Sequence, residues 1–546
     1  MSLLKNCAAM FSVELNRDRK ATATSPPASP VGDAQSRGQL KRYIVFTCLA
    51  CMYILPFMRL YLGGADEGIL VYGAVRVVHG QVFARDFFEL MGPGTFYWVA
   101  TFFKLLGVSI LATRICLFLT SVGTALLLFY LSCQICRRYR TLPCILLAAV
   151  YCGGVWPTIS HHLDSNFFAL AAVTCVSLWQ DWRRKSLLLA AGVMAALTTA
   201  FLQPKGILLL CAIAVWLRIQ QRRGLASVSS LSLLAGGYFG VASLCLLYFW
   251  SKRALGDLVY ANVLWPLRNY GATNSVPYAH DLFTTYWVYW TRSESGLWWT
   301  FPMSAILIAP FLFVAVLPGL LLFIGARSRW GMARPEIMLY WLCGGAIWLA
   351  EIHRRDIAHL IFGSSLLVIL AIHFLTERHG RIASLTLQML SISAACLILF
   401  NLCCLLIAPH SVPTRVGSVK MYRDPPVLPF LLQHVPAGEE IFVYPYAPQY
   451  YFLSSTTNPT PYSVLVNNFD TPSQFRDAER ILDQHKVKYV IWDSNFERDS
   501  TDAFPRLKQL PPREPILEPY LESHYNIVWD ENGTRVMERR RDVDAN

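Results

Sequence analysis

Long apolar runs alternate with short polar breaks over most of the chain, and this pattern predicts helices that cross a membrane. A span needs about 20 mostly apolar residues. By that measure spans fall near 43–62, 108–133, 141–157, 165–180, 186–202, 205–221, 229–250, 301–325, 337–351, 357–376 and 383–408. The expectation is a polytopic α-helical membrane protein with about 11 transmembrane helices. After residue 408 the pattern changes. Glu440–Tyr444 and Lys488–Trp492 read as buried strands, and Ser473–His485 has the period of an amphipathic helix. Ile527–Asp530 and Thr534–Met537 flank Asn532-Gly533, the dipeptide of a two-residue hairpin. A small α/β C-terminal domain is expected there.

Composition agrees with membrane residence. Of 546 residues, 54% are hydrophobic and only 15% charged, against about 25% charged in ordinary globular proteins; mean hydropathy is +0.39. The net charge of +13 suggests nucleic acid at first sight, but its placement does not. Arg137, Arg138 and Arg140; Arg183, Arg184 and Lys185; Arg218, Arg222 and Arg223; Arg327, Arg329 and Arg334; and Arg378 and Arg381 lie in short loops between apolar runs. The acidic residues beside them are only Asp181, Glu336 and Glu377. This positive-inside pattern, with Lys41-Arg42, marks those loops and the N-terminus as cytoplasmic. An odd number of spans then places the C-terminal domain on the outer side. The expected division is 1–40, a disordered cytoplasmic tail; 41–408, the membrane domain; and 409–546, the exported domain.

Two outer segments are too long for simple loops. Residues 63–107 hold GILVYGAVRVVHG, RDFFEL and GPGTFYWVATFFKLLG, read as amphipathic pieces lying in the interface. Residues 251–300 hold Trp287, Trp290, Trp298 and Trp299, consistent with an interfacial aromatic belt. Arg76, Arg85 and Asp86 read as structural or interfacial. The fifteen cysteines stop at Cys404, so the expected exported part has no disulfide framework. A lone Cys133-x-x-Cys136, with no second pair, reads as packing.

On this topology the ionisable clusters share the outer side. They are Asp66 and Glu67 after the first span; His161, His162 and Asp164 in ISHHLDSN; Lys205 in FLQPKG; and His353, Arg354, Arg355, Asp356 and His359 in EIHRRDIAH. Charge at a membrane boundary is expensive to bury. Each cluster also has a plainer reading. Asp66-Glu67 would be a solvated pair, Asp164 the N-cap of its helix, and Lys205 a snorkelling side chain. Taken together they form a site for a charged headgroup. A carboxylate serves as general base toward a hydroxyl, Arg and Lys neutralise a phosphate, and histidines donate hydrogen bonds to a leaving oxyanion.

At these residues the chain resembles the GT-C superfamily of polytopic glycosyltransferases, which includes protein O-mannosyltransferases and lipid A aminoarabinose transferases. The resemblance rests on DEG followed by GAVRVVHGQVFARDFFELMGPGTFY, on HHLDSNFFAL, QPKGILLL and HRRDIAHL, and on IFVYPYAPQYYFLSSTTNPTPY and KYVIWD in the tail. It covers about residues 41–500 with short motifs. It implies an inverting transfer of one sugar from a polyprenyl-phosphate donor to a lipid, glycan or protein acceptor. Asp66 is the implied catalytic carboxylate, with Glu67 as neighbour or substitute. Lys205 and Arg354 or Arg355 are implied to meet the donor phosphate. His161, His162, Asp164 and His359 fall to substrate binding, with the histidines either hydrogen-bond donors or ligands to an optional divalent ion. No other cofactor and no nucleic-acid partner are implied. The implied location is a bacterial inner membrane with the site periplasmic; a lumenal site in the endoplasmic reticulum has the same topology. The competing reading is a lipid or solute transporter, but that predicts repeated halves and ionisable residues at span centres, and neither is present in the pattern.

Overall fold

The apolar periodicity becomes helix almost throughout the computed structural model, which describes residues 31–60, 64–152, 158–282, 300–327, 334–378, 380–407, 410–421, 424–496, 504, 506–511 and 514–541. Trp287, Trp290, Trp298, Trp299, Arg329 and most of the expected tail lie outside the described residues. The chain forms two units, Met1–Pro56 and Phe57–Asn546. The first contains helix α1, Val31–Ile54. It begins ten residues before the boundary set for the tail, because Ala34, Gln35, Arg37, Gln39, Leu40 and Lys41 are all good helix formers.

The second unit carries everything else. Its helical part comprises α2 Ala65–Val78, α3 Gly94–Leu106, α4 Ile110–Ile135, α5 Leu142–Val150, α6 His161–Trp182, α7 Lys185–Phe201, α8 Gln203–Arg222 and α9 Ser229–Ser251. Short helical pieces fill 255–274, and α10 Thr300–Arg327, α11 Pro335–Glu351, α12 Ile357–Gly363, α13 Ser365–Glu377 and α14 Arg381–Ile407 follow. Among the described residues five helices are long and apolar enough to cross a membrane, or six if α12 and α13, bent by 73°, count as one span. The other expected spans are helical but differ in kind. α7 and α11 have 17 residues each, and α6 and α8 carry Asp164, Asp181, Lys205, Arg218 and Arg222 within their lengths. Within them Asp164 and Lys205 are buried against neighbouring helices, whereas Asp181, Arg218 and Arg222 are exposed near the helix ends.

The C-terminal elements fall where the alternation predicts them. β3 Ile441–Tyr444 pairs parallel with β4 Tyr489–Asp493 in a four-stranded sheet of order β3-β4-β6-β5. β5 Tyr525–Glu531 and β6 Thr534–Arg539 form the hairpin, and Asn532 and Gly533 both have positive φ, at 52° and 84°. That is what a turn matching the twist of its strands requires. A separate two-stranded ladder joins β1 His410–Thr414 and β2 Gly417–Met421. The amphipathic helix, α15 Pro472–Gln484, opens with a capping box between Thr471 and Gln474. It covers one sheet face through Phe475, Ala478 and Leu482.

This sheet region is joined to the helical part by residues 446–463, which lie along α2. Tyr72 stacks on Tyr451 with ring centroids 4.6 Å apart. The Asn458 amide donates to the Tyr72 hydroxyl at 2.7 Å, and Arg76 donates to the Thr460 carbonyl at 3.0 Å. Arg76 is thus a structural tie, as are Arg85 and Asp86, which pair with each other at 2.8 Å. Gly68 makes the close approach achievable: a Cβ there would stand 2.5 Å from the Gln449 amide nitrogen. Gly92 plays the same part where the GPG turn meets the end of α7, against the Ala200 carbonyl.

Substituting Gly68→Ala should therefore loosen the C-terminal part from α2. Overpacking of this kind costs about 1–3 kcal/mol, and a lowered midpoint of thermal unfolding of the purified protein, with early proteolysis after residue 409, is the expected result.

Candidate active site

Five chain segments bring ionisable side chains to one place: the start of α2, the start of α6, the start of α8, the end of α11 and the residues that lead into α12. At its centre is Lys205. It is fully buried, and Nζ lies 2.5 Å from Glu351 Oε1, 2.9 Å from Ser165 Oγ and 2.9 Å from Asn166 Oδ1. The other oxygen of Glu351 is 2.8 Å from His162 Nδ1. Lys205 is therefore turned inward and tied to α6 and α11, instead of snorkelling toward a polar surface. Glu351 is the anchor of the group and was not among the sequence candidates. Its signal was an acid at the last position of an apolar helix, where an ionisable residue defaults to function.

The histidines join from two sides. His161 and His162 open α6, with ring centroids 4.0 Å apart. The His162 ring stacks on Phe362 at 4.9 Å and meets His359 edge-on at 4.7 Å. Ser160, not Asp164, is the N-cap of α6; its hydroxyl accepts from the His162 amide at 3.3 Å. Asp164 lies one turn further on, out of reach of the capping position. It is buried against α3, where Thr95 Oγ1 donates to it at 3.1 Å, and it does not join the cluster.

Asp356 orders the loop before α12. It is the N-cap, accepting the His359 amide at 3.0 Å, and the same oxygen is 2.7 Å from His359 Nδ1. Its second oxygen takes Arg354 Nε at 2.6 Å. Burial alone would raise this carboxyl, but His359 and Arg354 outweigh it and hold it well below the usual carboxylate range. Arg354 continues to Asn274 Oδ1 at 3.1 Å. Arg355 has a lighter tether, Ser275 Oγ at 3.4 Å.

The two adjacent carboxylates of α2 have opposite surroundings. Glu67 is buried, 2.8 Å from Arg114 of α4, and accepts the Ile159 amide at 3.0 Å. It fastens α2 to α4 and to the approach to α6. Asp66 is exposed. Among the described residues it has no ion-pair partner; the Tyr446 hydroxyl donates to it at 2.5 Å. Burial, followed by the charge of Asp66, pushes the Tyr446 phenol well up, so it remains a donor. The Tyr270 hydroxyl, also pushed up by burial, feels Arg354, Asp356, Asp66 and Glu351. It lies within electrostatic range of both the α2 carboxylate and Glu351. Tyr270 and Tyr446 gave no sequence signal, being two tyrosines among 25.

Glu89, in RDFFEL, is a further buried carboxyl. Its Oε1 has no hydrogen-bond partner, and burial raises its pKa to about 8, with Asp470 adding to the rise and Ser463 and Arg76 only partly offsetting it. Tyr446 lies within range of its charge.

The sequence matches no family model and no curated protein sequence. Its fold does have solved counterparts. It superposes on ArnT from Cupriavidus metallidurans bound to undecaprenyl phosphate with a TM-score of 0.54 at 9% identity, covering 92% of this chain and 98% of that one. The apo structure of the same ArnT gives 0.48 at 11% identity, with the same coverage. The arabinosyltransferase EmbB from Mycobacterium smegmatis gives 0.35 at 14%, over 72% of this chain and 43% of that one. The chain thus shares the fold of this ArnT, in keeping with the GT-C resemblance of its outer-loop motifs.

Two outcomes test this geometry. Lys205→Met leaves Glu351 charged and buried, and should cost about 3–5 kcal/mol; adding Glu351→Met should restore part of that in chemical unfolding. Glu89 binds its proton more tightly in the folded state than in the unfolded chain. Its contribution to stability is full below the ordinary carboxyl pKa and is lost as pH rises toward about 8. Glu89→Gln should therefore flatten the fall in unfolding temperature between pH 5 and 8 and raise that temperature at pH 8.

Proposed function

We propose that the protein is a membrane glycosyltransferase that moves one sugar from a polyprenyl-phosphate donor to an acceptor hydroxyl, with inversion, and with Asp66 as general base. The observation that carries this reading is the contrast between the neighbours Asp66 and Glu67. Glu67 is consumed by Arg114, whereas Asp66 is exposed, lacks an ion-pair partner among the described residues and lies within range of the Arg354 charge. A carboxylate held by one phenol donor keeps a second oxygen for an incoming hydroxyl. The undecaprenyl phosphate of the ArnT structure supports a lipid-phosphate leaving group for this fold.

In the reaction, the acceptor oxygen gives its proton to Asp66 and forms a bond to the anomeric carbon. The bond from that carbon to the phosphate oxygen breaks, and the electron pair leaves with the lipid phosphate. Of the cations expected to meet that phosphate, Arg355 is the best placed to leave its tether, since Lys205 is held by Glu351 and Arg354 by Asp356. Arg354 shapes the loop from which Arg355 projects. Attack from the face opposite the phosphate inverts the centre, and a single base suffices. Asp66 and Glu67 point into different surroundings and do not form the facing carboxylate pair of a retaining glycosidase. The outer-side location, the exported C-terminal part and the bacterial inner membrane belong to the same proposal and rest on the positive-inside loops.

The test is sugar transfer from a panel of radiolabelled polyprenyl-phosphate sugars in membranes. Asp66→Asn should lower transfer by about 10²–10⁴-fold at unchanged abundance, and Arg355→Ala should weaken donor use more than Lys205→Arg does. Equal transfer by wild type and Asp66→Asn would remove Asp66 as the base.

A further inference from the structure

We propose that Tyr446 is a positioning residue of the transfer reaction: its hydroxyl, delivered from the C-terminal sheet, holds the Asp66 carboxylate in the orientation that receives the acceptor proton. The inference rests on Asp66 as the base. The bond runs from the Tyr446 hydroxyl to Asp66 Oδ1 at 2.5 Å, between residues 380 apart in the chain. An exposed carboxylate near the start of a helix is otherwise free to change rotamer and to bond water. Here one oxygen is taken by the phenol, which fixes the plane of the group and leaves Oδ2 for the acceptor hydroxyl. A general base acts only within hydrogen-bond reach of the proton it removes, so a lost orientation is a lost rate.

The phenol is itself held in place. Tyr446 follows the end of β3 by two residues. Its ring lies 5.5 Å from that of Phe496, just past β4, and meets Phe504 edge-on at 5.5 Å. These rings pack with Phe469 and Trp265 in one apolar cluster. One residue earlier, the Pro445 carbonyl accepts the Leu465 amide at 2.9 Å. Three residues later, the Gln449 backbone sits against Gly68, which is two residues from Asp66. Both ends of the bond therefore rest on the same contact between the sheet region and α2.

A purely structural tie has another form. The bonds from Asn458 to Tyr72 and from Arg76 to Thr460 are buried and satisfy groups that water cannot reach. The Tyr446 bond ends on an exposed carboxylate that water could serve as well, and those other ties already dock the segment on α2. Its hydroxyl is thus dispensable for docking, and its effect falls on the base. Burial keeps the phenol protonated, so it acts as a donor. The C-terminal sheet region is on this account a component of the transfer site.

The experiment is steady-state sugar transfer by the full-length protein in membranes, with the labelled polyprenyl-phosphate sugar found active for wild type. Tyr446→Phe keeps the ring and its packing on Phe496 and Phe504. It should lower kcat about 10–100-fold with the donor KM and the midpoint of thermal unfolding unchanged. Tyr462→Phe removes a hydroxyl bonded to Asp477 at 3.1 Å in the same segment and should leave kcat as it is. In the Asp66→Asn background, Tyr446→Phe should cost no further activity, because the hydroxyl acts through the carboxylate. A wild-type kcat for Tyr446→Phe, or an equal loss with and without the Asp66 carboxylate, overturns the proposal. If Tyr446→Phe does not fold, an experimental structure of the wild type decides: a Tyr446 hydroxyl on Asp66 supports it, one turned away overturns it. Loss of transfer in Asp66→Asn beside full transfer in Tyr446→Phe removes only the positioning role; full transfer in Asp66→Asn removes the base and this role with it.

Discussion

The buried pair of Lys205 and Glu351 constrains everything around it. Two opposite charges removed from water persist only if their remaining hydrogen-bonding capacity is met nearby. Here Ser165 and Asn166 accept from Lys205 and His162 lies 2.8 Å from Glu351, all from the first two turns of one helix. The start of α8, the end of α11 and the start of α6 are therefore held in fixed relation. α12 is then drawn in by Asp356 and His359, and Gly363 lets it lie close: a Cβ at that position would stand 3.0 Å from the backbone of Trp348 and 3.4 Å from the Glu351 side chain.

A second tie, between Glu67 and Arg114, does the same for α2 at the other edge of the site. Between the two ties, Asp66 and Arg355 keep their freedom. The division of labour is physical. Residues whose charges are neutralised within the fold make a stiff frame, and those left with weak tethers are available to a ligand. An adjacent Asp and Glu can thus serve different ends, because successive helical residues point about 100° apart.

Much of the arrangement could be read from the residues alone. The strands of the C-terminal sheet follow from alternation, the hairpin from Asn532-Gly533, and the grouping of His162, Lys205 and the 354–359 loop from charge placed at helix ends. What escaped was whatever depended on a partner distant in sequence. Glu351 appears as the tail of an apolar run until Lys205 is seen beside it. Asp164 has the composition of a cap, but Ser160 takes that place and Asp164 turns to Thr95. Among the described residues five helices, or six with the bent pair, are long and apolar enough to cross a membrane, against about 11 expected, for a related reason. Hydropathy cannot distinguish a helix surrounded by lipid from one surrounded by other helices, and α7 and α11 are short enough for the second.

The seat of Gly68 on the backbone of Gln449 ties the exchangeability of parts to geometry. In chimeras, a C-terminal segment grafted from a related protein would bring its own version of the 446–463 path, including whatever stands in for Tyr446. It would meet an α2 surface shaped for a different contour. The natural unit of exchange is therefore α2 together with the residues that lie on it, even though most of the chain separates them, and a crossover drawn at the end of α14 would cut through the surroundings of Asp66.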